Sequence, residues 1–227
     1  MNFLSKTLIA CAVISASVSF ANAGVIIGGT RVVYDGNKKE ASIDVNNPDK
    51  TPYLIQSWVE TLNGGAEKAP FIITPPLYRL DGGQQNIERV VVTGNLPQDK
   101  ESLYWLNIKA IPSAPKKDNT LQIAIKTRIK LIYRPVGLKS QQPQELSHQL
   151  TWRRNGNQLQ VTNPTSYVIN FNEISLGGKK IENVSYVLPG ESMNFTLPAG
   201  ANSTSINYKV INDYGAVSDV QSASLRK

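Results

Sequence analysis

The chain has 227 residues, with 24 Lys or Arg against 17 Asp or Glu, and a net charge of +7 at pH 7. Its single cysteine, Cys11, and single histidine, His148, exclude a disulfide scaffold and cysteine-ligated metal centres. The basic balance favours an anionic surface or a carboxylate-bearing partner, or is simply a solvated basic surface. A nucleic-acid partner would also suit a basic protein, but it is the weakest interpretation because the chain begins with a predicted export signal.

The N-terminal segment, residues 1–23, has the features of a signal peptide. Lys6 gives a charged start, residues 7–20 are mostly apolar and small, and Ala21-Asn22-Ala23 is the small-x-small pattern that precedes signal-peptidase cleavage. The apolar stretch is short for a membrane span, which argues against the rival interpretation, an uncleaved anchor. The sequence therefore predicts an exported protein that begins at Gly24.

Residues 24–134 read as an all-β domain without a helical period. Seven runs with alternating side chains are separated by turn signals, and they lie at 25–34, 41–46, 53–59, 71–76, 86–93, 102–111 and 121–134. Short strands at this spacing are typical of an antiparallel sandwich of the immunoglobulin type. The lone cysteine belongs to the predicted signal peptide, so this sandwich would have no disulfide.

The last run, LQIAIKTRIKLIYR at residues 121–134, is predicted to be one long strand with an apolar and a basic face. Its apolar face includes Leu121, Ile123, Ile125 and Ile129. Most strands are about 3–10 residues long, so this run is longer than an ordinary domain requires. The extra length predicts that part of the apolar edge projects beyond its own core, where it could serve another chain.

A change of composition separates two domains. Residues 135–145 are polar, with a proline near each end, and indicate a linker or hinge. A second set of short runs follows at 146–152, 158–163, 167–176, 184–188, 192–197, 205–211 and 217–225. The predicted division after the signal peptide is a first domain at 24–138, a linker at 139–145 and a smaller β-sandwich at 146–227.

Both domains resemble the periplasmic chaperones of the chaperone–usher pathway of pilus assembly. The resemblance is carried by GGTRVVYDG (28–36), PYLIQSW (52–58), TPPLYRL (74–80), LPQDKESLYWLNIKAIP (96–112), LQIAIKTRIKLIYRP (121–135) and INDYGA (211–216). It implies two immunoglobulin-like sandwiches in a boomerang arrangement, located in the periplasm. It also implies a protein without enzymatic activity or cofactor that binds pilus subunits by donor-strand complementation and delivers them to an outer-membrane usher.

The resemblance assigns roles to three sets of residues. Leu121, Ile123 and Ile125, with Ile129 as an extension, would be the strand lent to a subunit. Arg31 and Lys130 would lie in the cleft between the domains and bind the C-terminal carboxylate of that subunit. A charged interdomain network would be formed by Glu101, Arg134 and Asp213.

Three further expectations accompany these roles. The pair Pro75-Pro76 matches a position where a cis peptide is plausible. The short loop at 112–120 resembles the short-loop branch of the family, whose clients tend to form rod-like pili. An exposed apolar edge also allows self-association of the free protein.

Two other classes of protein are the alternatives. A secreted immunoglobulin-like adhesin or a pilus subunit shares the β pattern, but a subunit would be one incomplete domain, whereas this chain has two complete sets of strands. An enzyme would have to use His148, which lies in a polar stretch without a serine elbow or oxyanion loop. No glycine-rich phosphate loop leads from a strand into a helix.

Overall fold

The computed structural model describes residues 24–64, 68–113, 121–138 and 141–226. The first part of the chain forms strands only. These are β1 (Ile26–Ile27), β2 (Arg31–Asp35), β3 (Ala41–Asn46), β4 (Tyr53–Glu60), β5 (Phe71–Thr74), β6 (Leu77–Leu80), β7 (Gln85–Val92), β8 (Ser102–Pro112) and β9 (Ile125–Arg134). They build a four-stranded sheet in the order β1-β3-β7-β5 and a five-stranded sheet in the order β2-β9-β8-β4-β6. The two sheets enclose one hydrophobic core.

The run at 25–34 was predicted to be one strand, and this prediction is wrong. The segment divides into β1, which pairs with β3, and β2, which pairs in parallel with β9 in the other sheet. The chain changes sheets around Gly28, whose N–H donates to Asp44 O at 2.8 Å. A Cβ at Gly28 would lie 2.9 Å from the Asp44 Cβ, so only glycine fits this close approach.

The run at 71–76 also ends earlier than predicted. β5 stops at Thr74, and the peptide bond between Thr74 and Pro75 is cis. The next strand, β6, was not predicted, although it pairs with β4 over four positions. Its residues are partly exposed at a sheet edge, so the sequence shows no clear alternation there.

The predicted long strand is four residues too long. β9 begins at Ile125, and residues 121–124 have no regular structure. β8 pairs with β9 from Ser102↔Tyr133 to Ala110↔Ile125, and its last residue, Pro112, has no N–H to donate. Among the described residues, the β8–β9 ladder ends at Ala110↔Ile125, and residues 121–124 lie beyond it.

The second part of the chain starts with a short helix, α1 (Pro143–Leu146), and a 3₁₀ turn (Ser147–Gln149). Its strands are β10 (Thr151–Asn155), β11 (Gln158–Thr162), β12 (Ile169–Leu176), β13 (Lys179–Lys180), β14 (Tyr186–Val187), β15 (Ser192–Thr196), β16 (Ser205–Ile211) and β17 (Gln221–Ser224). One sheet has the order β10-β11-β15, and the other has the order β13-β12-β16-β17 with β14 also paired to β12. A second hydrophobic core lies between them.

The run at 146–152 was predicted to be a strand, but its first half is helical. Pro143 occupies the first turn of α1, where its missing N–H costs nothing and its fixed φ suits a helix. Leu146 and Leu150 are both buried at a helical spacing of four. Only the strand β10, from Thr151, remains of this prediction.

Several predictions fall on parts of the chain outside the described residues. These are the signal peptide at 1–23, most of the loop at 112–120 and positions 139–140 of the linker. For the described part, no helix is long and apolar enough to cross a membrane. The predicted all-β class is confirmed, and the signal peptide and the linker boundaries stay predictions.

Candidate functional site

The site is organised around β9, whose side chains alternate between the core and the opposite face of its sheet. Ile129, Leu131 and Tyr133 are buried in the core of the first sandwich. Arg128 and Lys130 lie on the other face. The same strand therefore contributes both to the core and to the surface that faces the second domain.

Arg31 and Lys130 occupy the same register position on neighbouring strands, since β2 and β9 pair in parallel with Arg31 opposite Lys130. Neither side chain forms an ion pair with a carboxylate of the described residues. Arg31 Nε is buried and has no hydrogen-bond acceptor within the described ranges. The structure thus places two cations side by side with no compensating anion in contact.

Burial and mutual repulsion affect both cations. Burial and, to a smaller extent, the neighbouring charge of Arg31 together lower the pKa of Lys130 to about 8. Burial also lowers the pKa of Arg31, an effect that the more distant charge of Asp213 opposes. An anion bound between Arg31 and Lys130 would relieve this repulsion, so the pair has the electrostatics of an anion site.

The second domain supplies the opposite wall of this site. Lys130 Nζ donates a hydrogen bond of 2.5 Å to Asn170 Oδ1 and lies 4.9 Å from the centroid of the Tyr186 ring. Asn170 is fully buried in β12, and Tyr186 belongs to β14. Neither residue was predicted from the sequence, although an asparagine within the apolar run 168–171 was a usable signal that a buried polar contact exists there.

The structure also brings Glu101, Arg134 and Asp213 together. Arg134 Nε donates to Glu101 Oε1 at 2.6 Å, and its terminal nitrogens donate to both oxygens of Asp213 at 2.8 and 3.1 Å. The second Glu101 oxygen accepts from the backbone N–H of Val168 at 2.7 Å. Since Val168 and Asp213 lie in the second domain, this buried network connects the two domains next to Arg31 and Lys130.

An apolar contact accompanies the charged network. Leu103 and Ile132 of the first domain pack against Val168 of the second in a small separate cluster, with Tyr186 at its margin. Ile132 lies between Lys130 and Arg134 on the face that is otherwise basic, and its burial follows from this contact. The two domains are therefore in contact through apolar packing as well as through charge.

The predicted lent strand has a different environment from the rest of β9. Leu121, Ile123 and Ile125 are 83%, 62% and 53% exposed, whereas Ile129 is only 8% exposed and belongs to the core. β2 covers β9 only at residues 130–134, so residues 125–129 have β8 on one side and no described strand on the other. An apolar row thus lies beside an open strand edge that ends at Lys130.

Aromatic and charged side chains continue the same face of the sheet. Arg128 lies 5.2 Å from the centroid of the Trp105 ring, forms an ion pair with Glu60 and donates to Asn107 at 3.1 Å. Lys126 lies 5.7 Å from the Trp58 ring centroid. These contacts hold further basic side chains along the outer face of β9, in addition to Lys130.

The structure gives no support to catalysis at His148. This residue is exposed on the 3₁₀ turn of the second domain. No group of three His, Cys, Asp or Glu side chains in the described part of the chain is arranged to hold a metal ion.

Two family models match the chain. Residues 24–139 match "Pili and flagellar-assembly chaperone, PapD N-terminal domain", and residues 145–222 match "Pili assembly chaperone PapD, C-terminal domain". The chain is 50% identical over 210 residues to the probable fimbrial chaperone LpfB of Escherichia coli O157:H7, covering 90% of each chain. It is 44% identical over 203 residues to the chaperone protein FimC of Escherichia coli K12, covering 87% of this chain and 83% of FimC.

Solved structures agree with the sequence relatives. The SafB chaperone of Salmonella enterica, solved in complex with the SafA pilin, is matched with a TM-score of 0.83 and 35% identity over 91% of this chain and 99% of the other. The chaperone DraB of E. coli is matched with a TM-score of 0.81 and 38% identity over 89% and 97%. These relatives are two-domain immunoglobulin-like chaperones without enzymatic activity, which confirms the predicted fold class and the non-enzymatic interpretation.

Proposed function

Because the chain belongs to the PapD-type family of pilus-assembly chaperones, we propose that it binds pilus subunits in the periplasm by lending them a strand and then delivers them to an outer-membrane usher. The observation that carries the proposal is the position of Arg31 and Lys130 at the end of an open, apolar strand edge. Neither cation forms an ion pair with a carboxylate of the described residues. Such a site fits an extended chain that ends in a carboxylate.

The position of the anchor sets the direction of the bound strand. A subunit whose last residue reaches Arg31 and Lys130 must place its preceding residues beside positions 125–129, where β9 has an open edge. It therefore runs in the same direction as β9. The subunit strand would end where β2 begins, and the two strands would share one edge of β9.

The apolar row supplies the affinity. Leu121, Ile123 and Ile125 would enter the groove that an incomplete subunit fold leaves open, and burying each fully is worth about 1.5–3 kcal/mol. Pairing of the backbone along the open edge would order residues 121–124 as a continuation of β9. Ile129 already lies in the core, so it supports the strand from within and is not available to the subunit.

The charged network has a geometric role in this proposal. Arg134, Glu101 and Asp213 fix the second domain against β9 and thereby place Asn170 beside Lys130. A buried ion network is weak support for stability by itself, but its directional bonds are well suited to fixing an angle. The predicted signal peptide supports export, and the periplasm is the compartment of fimbrial chaperones of this family.

Co-expression in a bacterial periplasm tests the proposal. The intact chain, Arg31→Ala, Lys130→Ala and the control Lys39→Ala, which changes an exposed lysine in the turn between β2 and β3, would each be produced with a panel of fimbrial pilins. We expect a one-to-one complex with the intact chain and with the control, and a strongly reduced yield of complex with the two anchor variants. Undiminished yields with both anchor variants would refute carboxylate anchoring, and no complex with any pilin would refute the chaperone function.

A further inference from the structure

Asn170 carries an unexplained donor beside the anchor pair. Its Oδ1 accepts from Lys130 Nζ, but its Nδ2 is buried and has no acceptor among the described residues. Buried polar atoms are nearly always hydrogen-bonded. The Nδ2 group therefore requires an acceptor that the free chain does not provide.

The orientation of this amide follows from its partner. Lys130 Nζ can only donate, so the oxygen of Asn170 must face it and the NH₂ group must point away. The rotated orientation would place two donors against each other. The position of the unpaired N–H groups is therefore determined by the contact between the two domains.

Arg31 Nε is a second buried donor without an acceptor among the described residues. Arg31 is the register partner of Lys130, and Asn170 is the hydrogen-bond partner of Lys130, so the three side chains form one cluster. A carboxylate offers two oxygens with about four lone-pair sites in total. One bound carboxylate can thus accept from all three side chains.

We propose that Asn170 is a third ligand of the subunit's terminal carboxylate, donating from Nδ2, and that the second domain thereby completes the anchor. The inference rests on the proposed function and adds a residue to the same site. It also connects the anchor to the charged network, because Glu101 holds the N–H of Val168, two residues before Asn170. The site is complete only when the two domains keep their relative placement.

The simpler alternative is that Asn170 only positions Lys130. The two roles differ when Lys130 has lost its charge: a positioning residue has no further effect, whereas a direct ligand still does. Binding of two peptides would be measured by titration calorimetry, both with the sequence of the C-terminal strand of the pilin retained in the co-expression experiment. One peptide would have a free carboxylate and the other a terminal amide.

We expect Asn170→Ala to weaken binding of the free-carboxylate peptide by at least about tenfold, both in the intact chain and in Lys130→Gln, since hydrogen bonds to charged groups are strong. The amidated peptide should be affected less than about twofold. Asn194→Ala, an exposed asparagine on β15 of the same domain, is the control and should bind both peptides normally. Asn170→Asp keeps the size of the side chain, provides a second test if the alanine variant does not fold, and should discriminate most strongly against the free carboxylate.

An Asn170→Ala effect that disappears in the Lys130→Gln background, or that is equal for the two peptides, would overturn the inference while leaving the proposed anchor intact. An intact chain that does not prefer the free carboxylate, or that binds neither peptide, would instead overturn the anchor itself and the inference with it.

Discussion

Ile123 and Ile129 allow the lent row and the core to be separated by one identical substitution. Both are isoleucines of the same apolar run, but Ile123 is 62% exposed and Ile129 is 8% exposed. Fully burying an isoleucine is worth about 1.5–3 kcal/mol, so the exposed part of Ile123 leaves about 1–2 kcal/mol to be gained on binding a subunit. Ile123→Ala should therefore weaken subunit binding by about fivefold to thirtyfold.

For the stability of the free protein, Ile129→Ala should have a large effect and Ile123→Ala a small one. Ile123→Ala removes a side chain with little packing, so the free energy of unfolding should change by less than about 0.5 kcal/mol. Ile129→Ala creates a cavity in the core and should lower it by about 2–5 kcal/mol. Urea unfolding measures the free energy of unfolding, and competition between the variant and the intact chain for a whole pilin subunit during refolding measures the relative affinity for the subunit.

The two assays together can refute the reasoning. If Ile123→Ala destabilised the free chain as much as Ile129→Ala, residue 123 would belong to the core of the free protein. If Ile123→Ala left both stability and subunit affinity unchanged, the apolar row would not be lent to the subunit.

Three further predictions concern charged groups. Arg134→Ala leaves the buried Glu101 without its partner and should lower the free energy of unfolding by about 3–5 kcal/mol. Because burial lowers the pKa of Lys130 to about 8, affinity for a free-carboxylate peptide should fall by up to about tenfold between about pH 7 and pH 9 as the ammonium loses its proton. Burial raises the pKa of Glu88, so the folded state holds this proton more tightly than the unfolded state, and its contribution to stability is lost as pH rises through the folded pKa. Glu88→Gln should therefore reduce the fall in unfolding free energy that accompanies a rise in pH above about 4.

Each of these has a matched comparison. Arg79, paired with Asp81 at the surface, is the control for the network, and Arg79→Ala should change stability by less than about 1 kcal/mol. For the anchor, Lys130→Arg should bind the carboxylate peptide almost independently of pH over the same range, and a pH dependence unchanged by this substitution would contradict the role of Lys130. An identical pH profile of unfolding for Glu88→Gln and the intact chain would show that Glu88 is not the responsible group.

Alternation of side chains predicted the presence of most strands because each strand of a sandwich has one buried face. The runs at 41–46 and 205–211 coincide with β3 and β16 for this reason. Alternation does not determine where a strand ends, because a ladder needs a partner. Residues 121–124 continue the pattern of β9 without a break, but Pro112 ends the neighbouring strand.

The other features that could not be predicted depend on contacts between residues that are far apart in the sequence. The sequence of residues 25–34 does not indicate that β1 and β2 belong to different sheets, apart from the glycines between the two strands. Asn170 and Tyr186 contribute to the site only because β12 and β14 are placed against β9, and no local pattern encodes that contact. The anchor pair itself was assigned by resemblance, since a single arginine or lysine in a sequence is indistinguishable from a solvated surface charge.

The arrangement along β9 assigns affinity and register to different residues. The exposed row at 121–125 can fill an apolar groove in more than one register. Apolar contacts alone therefore do not fix the register of the subunit strand against β9. A slip of one residue would turn every side chain of the subunit strand to the opposite face. In the proposed complex, Arg31 and Lys130 would exclude that slip, because only one register brings a terminal carboxylate to the point where β2 begins. Binding would therefore depend on the distance between the subunit's groove-lining residues and its C-terminus. A pilin lengthened by one C-terminal residue should bind less well than the unaltered one, even though its apolar groove is intact.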